Sequence, residues 1–187
     1  MKLSDLFEEE REIWAKKIEN PNDIGVFSWG NSEDKYRVGD VIFDNRDGLG
    51  AVGNNSNVMY MGFVALMEID TFLNIAADHA GQREQTAKEL TGLMKEGYPI
   101  AAPWLTINID GFMDGKKKVP YCSGHEGRGR LIACKKYFSL SKVPVQIFCT
   151  GYRNRDMSDE VIAELQRGIK NEQGTRIISD AFLRVYK

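Results

Sequence analysis

Apolar and polar positions follow two different periods along the 187 residues of the chain. Short apolar runs rich in β-branched residues and bounded by Gly, Pro or Asn predict strands. Apolar residues three or four positions apart predict helices with one buried face. The predicted strands cover 36–43, 58–67, 103–109, 118–122, 143–148 and 176–186, and the predicted helices cover 4–18, 69–79, 84–95, 127–137 and 158–169. This mixture predicts a compact single domain of the α/β or α+β class, with a mixed sheet.

Composition narrows the class of protein. With 42% hydrophobic and 28% charged residues, the chain is typical of a globular protein that buries a core. Its net charge of −2 argues against a generally basic coat for nucleic acid, although a local basic groove is still possible. One domain spanning 1–187 is therefore the expected organisation.

The cysteines and the N-terminus bear on location. Cys122, Cys134 and Cys149 have no metal-ligand spacing and are odd in number, which favours a reducing cytoplasm. The acidic, amphipathic N-terminus lacks the basic and apolar regions of a secretory signal. No stretch approaches the roughly 18 apolar residues that a membrane span needs. We therefore expect a cytoplasmic protein without a membrane partner.

The run from Ser123 to Arg130 carries the clearest chemical signal, because it combines three glycines with two arginines before a predicted helix. Glycines allow the backbone to approach a ligand closely. Arginine forks suit phosphate or carboxylate, and a helix N-terminus favours an anion. The run therefore predicts a phosphate-binding turn; a helix start whose arginines make only surface ion pairs is the alternative. Its proposed phosphate-binding residues are Gly124, Gly127, Arg128, Gly129 and Arg130.

Two residues in this run could carry chemistry. Glu126 could bind Mg²⁺ or orient a water or hydroxyl group, and capping the helix is its alternative role. His125 could transfer a proton because its ordinary pKa is near neutrality, but a structural histidine bonded to backbone is equally consistent with the sequence. Glu126 and His125 are therefore the candidate catalytic residues.

Two other polar segments could complete a ligand site. The segment 44–53 holds two acids, an arginine and three glycines, so it predicts either a second wall of the site or a hairpin connection. Asp44 and Asp47, with Glu126, are the candidate metal ligands, and Arg46 lies between the two aspartates. Arg153 and Arg155 follow the predicted strand 143–148 and suit phosphate contact, the alternative being a solvated loop.

The order of these features resembles the ParB/sulfiredoxin-like superfamily. Gly127–Ala133 fits the GxxRxxA box of that superfamily, and Glu126–Arg130 fits its acid-Gly-x-His-Arg form, with Gly129 where His is common. A Val-Pro-Val strand follows at 143–145, and the helix, glycine and proline-led strand of 90–100 precede the box. The resemblance covers Met61 to Phe148 and implies a ParB/sulfiredoxin-like core preceded by an N-terminal helix.

The resemblance also implies a function. It suggests a phage or mobile-element protein, located in the host cytoplasm, that binds a nucleotide or nucleic acid by its phosphate. Phosphotransfer or phosphodiester hydrolysis, with Mg²⁺ and a nucleoside triphosphate, is the implied chemistry. Sulfiredoxin activity is disfavoured, because Arg128 stands where the reactive cysteine of that enzyme lies. The alternatives are a non-catalytic binding module that docks on a host protein or DNA, and transfer of ADP-ribose by the same arginines.

Overall fold

The structure is a computed structural model that describes residues 15–17, 35–44, 59–76, 83–114, 117–150 and 159–184. The strands in these residues are β1 (Ala15–Lys17), β2 (Lys35–Val38), β3 (Val41–Asp44), β4 (Met59–Glu68), β5 (Ile100–Ala101), β6 (Trp104–Asp114), β7 (Lys117–Glu126), β8 (Lys142–Thr150), β9 (Ile169–Lys170) and β10 (Arg176–Ile177). The α-helices are α1 (Ile69–Ile75), α2 (Arg83–Lys95), α3 (Arg128–Phe138) and α4 (Asp159–Gln166), and a 3-10 helix covers Phe182–Arg184.

Six strands form the larger sheet, in the order β10-β9-β7-β6-β8-β4. At its centre, β6 runs antiparallel to β7 and parallel to β8. The outer strand β4 runs antiparallel to β8, so the sheet contains both parallel and antiparallel pairs. The predicted strands 103–109 and 143–148 pair in this sheet. The prediction of a compact α+β arrangement with a mixed sheet is confirmed.

A smaller sheet has the order β1-β2-β3-β5. The predicted strand 36–43 is in fact a hairpin, because Gly39 adopts a positive φ of 57° and reverses the chain between β2 and β3. The helix predicted over 4–18 is wrong at 15–17, where the chain pairs in parallel with β2. Strand pairing here overrides the helical pattern of the sequence, and the rest of that prediction lies outside the described residues.

One apolar core lies between the larger sheet and the helices. Strands β6 and β8 contribute alternating side chains that are fully buried, and α3 covers them with its apolar face. The main contributors from these three elements are Leu105, Ile107, Val145, Ile147, Leu131 and Cys134. The core fixes α3 against the sheet, and the N-terminal turn of α3 is thereby placed at the end of the inner strand β7.

Other predicted elements are present with different limits. Helix α1 ends at Ile75 rather than at 79, because Ala76 already has an extended backbone. The closing strand predicted at 176–186 is limited to the two residues of β10, and a 3-10 helix follows it. These short C-terminal elements pack through Ala181 and Phe182, which are buried in the main core.

The chain passes from β7 into α3 at Gly127. Residues 123–126 were predicted as part of a loop, but β7 continues to Glu126, which lies opposite Trp104 on β6. Ser123 is the extra residue of a bulge, because Gly124 pairs with Thr106 while Cys122 pairs with the next residue of β6. The first half of the glycine-rich run is therefore strand, its last three residues begin α3, and the reversal is confined to Gly127, with a φ of 114°.

Replacing Gly127 with alanine should destabilise the fold. An added Cβ would lie 2.6 Å from the Cβ and 2.8 Å from the Cα of Pro103, in a backbone conformation that L-residues rarely adopt. We expect a loss of roughly 2–4 kcal/mol in the free energy of unfolding, measured by chemical denaturation.

Gly92 provides the matched control for this substitution. It lies within α2, and an added Cβ meets no atom within 4 Å. Gly92→Ala should therefore stabilise the protein by roughly 0.5–1 kcal/mol, because alanine favours the helix. Equal stability changes in the two variants would contradict the packing described for Gly127.

Candidate functional site

The candidate site is the segment Glu126–Arg130, which we call the Gly-Arg turn. It contains the last residue of β7, the glycine that reverses the chain, and the first turn of α3. Gly127 is buried and presses its backbone against Pro103, so the turn is held close to the segment that joins β5 to β6. The sequence predicted a glycine here for ligand approach; the structure gives it a packing role as well.

Arg128 points away from the N-terminus of α3 and towards the C-terminal end of α1. Its Nη1 donates hydrogen bonds to the carbonyl oxygens of Leu73, at 2.8 Å, and Ala76, at 2.5 Å. The last carbonyls of a helix lack partners within the helix, and the helix dipole makes a cation favourable there. Arg128 therefore caps α1, and its predicted contact with phosphate stays a prediction.

Asn171 completes the same cap and was not identified from the sequence. Its Nδ2 donates to the carbonyl of Asn74 at 3.1 Å, and its Oδ1 accepts from the backbone N–H of Thr175 at 2.8 Å. The residue is buried, so both bonds replace lost contacts with water. An Asn three positions before Gly174 signals a turn, but nothing in the sequence indicates that the side chain reaches α1.

Arg130 remains at the turn itself. Its Nη1 donates to the carbonyl of Ala101 at 3.0 Å, and its Nη2 lies 3.4 Å from Oε1 of Glu126. A Cβ built on Gly127 would lie 3.4 Å from Nη2, so the guanidinium folds over the start of α3. The Arg130 side chain is 14% exposed and that of Glu126 is 64% exposed, so the carboxylate is the more accessible member of the pair.

Asp44 lies beside the same short segment of chain. It ends β3 opposite Ala101, the residue whose carbonyl binds Arg130, and its own carbonyl accepts from the N–H of Ala102 at 2.7 Å. Asp44 is 7% exposed. Asp44 and Arg130 therefore lie at opposite edges of β5, and the roles of Asp44 in a second wall and in metal binding stay predictions.

Gln146 holds the segment between β5 and β6, a role that no motif in the sequence indicates. It is fully buried on β8, its Nε2 donates to the carbonyl of Ala102 at 3.2 Å, and its N–H donates to the carbonyl of Pro103 at 2.9 Å. These bonds fix the segment against which Gly127 packs. In the sequence, Gln146 is the single amide side chain in the otherwise apolar run 143–149.

The two proposed catalytic residues are consecutive in β7. Successive side chains of a strand point to opposite faces, so His125 and Glu126 are not directed at one ligand by the strand geometry. Glu126 belongs to the Gly-Arg turn, whereas His125 is partly buried opposite Leu105. Gly124 also lies in β7, where a Cβ would meet Trp104 only at an ordinary 3.7 Å. Their roles in catalysis and phosphate binding stay predictions.

Helix α3 has an unusual distribution of charge. It contains four basic residues and no acidic one, and two of the four, Arg128 and Arg130, are in its first turn. No side chain caps this N-terminus. The positive end of the helix dipole and the guanidinium of Arg130 therefore lie together, because Arg128 is directed to α1. This arrangement disfavours the free helix and favours a bound anion.

The three cysteines are separate from this chemistry. All three are buried and free. Burial raises the pKa of Cys122 to about 11 and the pKa of Cys134 and Cys149 each to about 12. At neutral pH these thiols are protonated and poor nucleophiles, so they are core residues.

Four of the predicted site residues lie outside the described part of the chain: Arg46, Asp47, Arg153 and Arg155. Within the described residues, no group of three or more His, Cys, Asp or Glu side chains is arranged to hold a metal ion. The described helices include none that is long and apolar enough to cross a membrane.

Compared with known proteins, the chain matches no family model, no curated protein and no solved structure. The resemblance to the ParB/sulfiredoxin-like superfamily therefore rests on the order of its motifs and stays a prediction.

Replacing Arg128 with methionine should destabilise the protein, because the variant keeps the aliphatic packing but loses both carbonyl contacts. We expect the free energy of unfolding to fall by roughly 1.5–3 kcal/mol, as for other charge-assisted hydrogen bonds. Chemical denaturation of purified protein measures this change.

Arg167→Met is the control for loss of an arginine at the surface. Arg167 pairs with Glu164, but its side chain is 62% exposed, so its removal should change stability by less than about 1 kcal/mol. If Arg128→Met is no more destabilising than Arg167→Met, Arg128 does not act as the cap of α1.

Proposed function

We propose that this protein binds the phosphate group of a nucleotide or nucleic acid at the Gly-Arg turn. One observation carries the proposal: α3 begins with two arginines in its first turn and neither an acid nor a side-chain cap. A helix normally has the opposite arrangement, in which acidic or capping side chains satisfy the first amides. A bound phosphate would accept hydrogen bonds from the first-turn amides that no side chain caps.

The charge at the first turn of α3 favours binding of an anion. Each cation beside the positive end of a helix is unfavourable by roughly 0.3–1 kcal/mol at an exposed site. A phosphate reverses that sign and can accept hydrogen bonds from first-turn amides and from a guanidinium at the same time. Arg130 is the arginine suited to this contact, since Arg128 is directed to α1.

Glu126 makes phosphoryl chemistry a reasonable extension of binding. Phosphotransfer and phosphodiester hydrolysis depend mainly on positioning and on neutralising charge. Mg²⁺ is commonly held by one or two carboxylates together with substrate phosphates, and Glu126 is an exposed carboxylate beside Arg130 that fits this role. When bound, the ion would neutralise phosphate charge. Glu126 would then hold the ion or accept a proton from the attacking hydroxyl.

A binding module without catalysis is the second candidate. Leu93 and Tyr98 are 50% and 53% exposed and are joined by a backbone hydrogen bond at the end of α2. Exposed apolar side chains of this size are common at docking surfaces. Such a module would bind a host protein or DNA and turn over no substrate.

Arg130→Ala should weaken nucleotide or nucleic-acid binding more than Arg153→Ala does. Loss of one charge-assisted contact is worth roughly 1.5–3 kcal/mol, which corresponds to a tenfold or greater loss of affinity. Calorimetric titration with ATP, CTP, GTP and a short DNA measures the effect. Equal affinities of the wild type and a folded Arg130→Ala variant would refute phosphate binding at this turn.

Glu126→Gln separates an enzyme from a binding protein. If Glu126 acts on a metal ion or on the attacking group, turnover should be lost while ligand affinity changes only a few fold, because the amide keeps the shape but loses the charge. Full turnover in the variant would leave Glu126 as the ion-pair partner of Arg130. A wild type that binds a nucleotide without turnover would support the binding module.

A further inference from the structure

The outermost strand of the larger sheet, β4, has the properties of an interior strand. It is ten residues long, and within the described residues its only strand partner is β8. One edge of its backbone is therefore not paired with any described strand. This feature is independent of the Gly-Arg turn and of the proposed function.

Both faces of β4 are covered by the protein in residues 64–67, where burial of the strand is described. Val64 is 3% exposed and packs with Tyr36 of the smaller sheet, whereas Ala65 and Met67 belong to the main core on the opposite face. A strand buried on both faces normally lies inside a sheet, with a neighbour on each side. In β4 the side chains meet this condition, but the backbone has one neighbour among the described strands.

The strand also lacks the features that protect natural sheet edges. Edge strands usually carry lysine, proline or inward charges, or are very short. The sequence of β4 has a single charged residue, Glu68, at its end, and no proline. By contrast, the edge strands β1, β5 and β10 contain only two or three residues each. The one irregularity of β4 lies between Met59 and Met61, so the strand beyond it is regular.

We propose that a second copy of the chain pairs with β4 in an antiparallel, two-fold symmetric arrangement. Such a contact is self-complementary, because each strand presents the same edge to the other. Antiparallel pairing places the two Glu68 carboxylates at opposite ends of the interface, whereas parallel pairing would place them side by side. The two six-stranded sheets would then form one continuous sheet across the dimer.

Two measurements on the full-length protein test this proposal together. Light scattering during size-exclusion chromatography should give twice the 21.2 kDa mass of one chain. Residue-resolved amide hydrogen exchange should show protection at every residue from 62 to 67. In an edge strand only alternate amides bond to the neighbour, so protection would alternate along β4. Strand β8, which lies between β4 and β6, is the internal reference for continuous protection.

A dimer with continuous protection of β4 supports the proposal. A monomer with alternating protection overturns it, because the edge is then open. A monomer with continuous protection overturns it as well, since another part of the same chain must pair with β4. A dimer in which β4 protection still alternates shows that a different surface joins the two copies, which also contradicts the proposal.

Discussion

The close contact between Gly127 and Pro103 determines the position of the candidate site. It brings the turn out of β7 against the segment that joins β5 to β6, with no room for a side chain between the two backbones. Gln146 holds that segment from β8, and Arg130 holds it from α3. The start of α3 is thus held against this segment by the Gly127–Pro103 contact and by the hydrogen bond of Arg130. These contacts set the position of its first-turn amides.

The two arginines of the turn have different contacts: Arg128 stabilises the end of α1, and Arg130 is the candidate for ligand binding. Arg128 satisfies the carbonyls that end α1, together with Asn171 from the C-terminal part of the chain. Arg130 spans a carbonyl and the exposed carboxylate of Glu126, an ion pair of small net energy that a stronger anion can replace. A sequence pattern of two closely spaced arginines therefore contains one structural and one candidate functional residue, and only their contacts distinguish them.

Much of the fold could be predicted because burial imposes a regular pattern on the sequence. The strands at 58–67, 103–109 and 143–148 and the helix at 84–95 have continuous or periodic apolar faces, and all four are present. The strand at 15–17 could not be predicted, since it depends on pairing with residues 35–37 and not on its own pattern. The continuation of β7 through Gly124 was missed for a related reason: pairing with β6 outweighs the turn preference of glycine.

The site was only partly predictable. The position of the turn and the choice of Arg130 as a candidate residue follow from the glycine–arginine pattern, which is local. The cap formed by Arg128 and Asn171 on α1 joins residues more than fifty positions apart in sequence, so no local pattern indicates it. His125 and Glu126 point to opposite faces because β7 extends to Glu126. The sequence predicts a turn for both residues, so it does not indicate this arrangement.

The central claim is that the first turn of α3 binds a phosphate, and a nuclear magnetic resonance titration with inorganic pyrophosphate tests it most directly. The backbone amides of Arg128, Gly129 and Arg130 are observed in isotope-labelled protein. Gly92 of α2, where an added Cβ would meet no atom within 4 Å, is the reference. We expect saturable shift changes that are largest at these three amides and absent at Gly92. Saturable changes confined to other parts of the chain, or no changes at the first turn of α3, would contradict the claim.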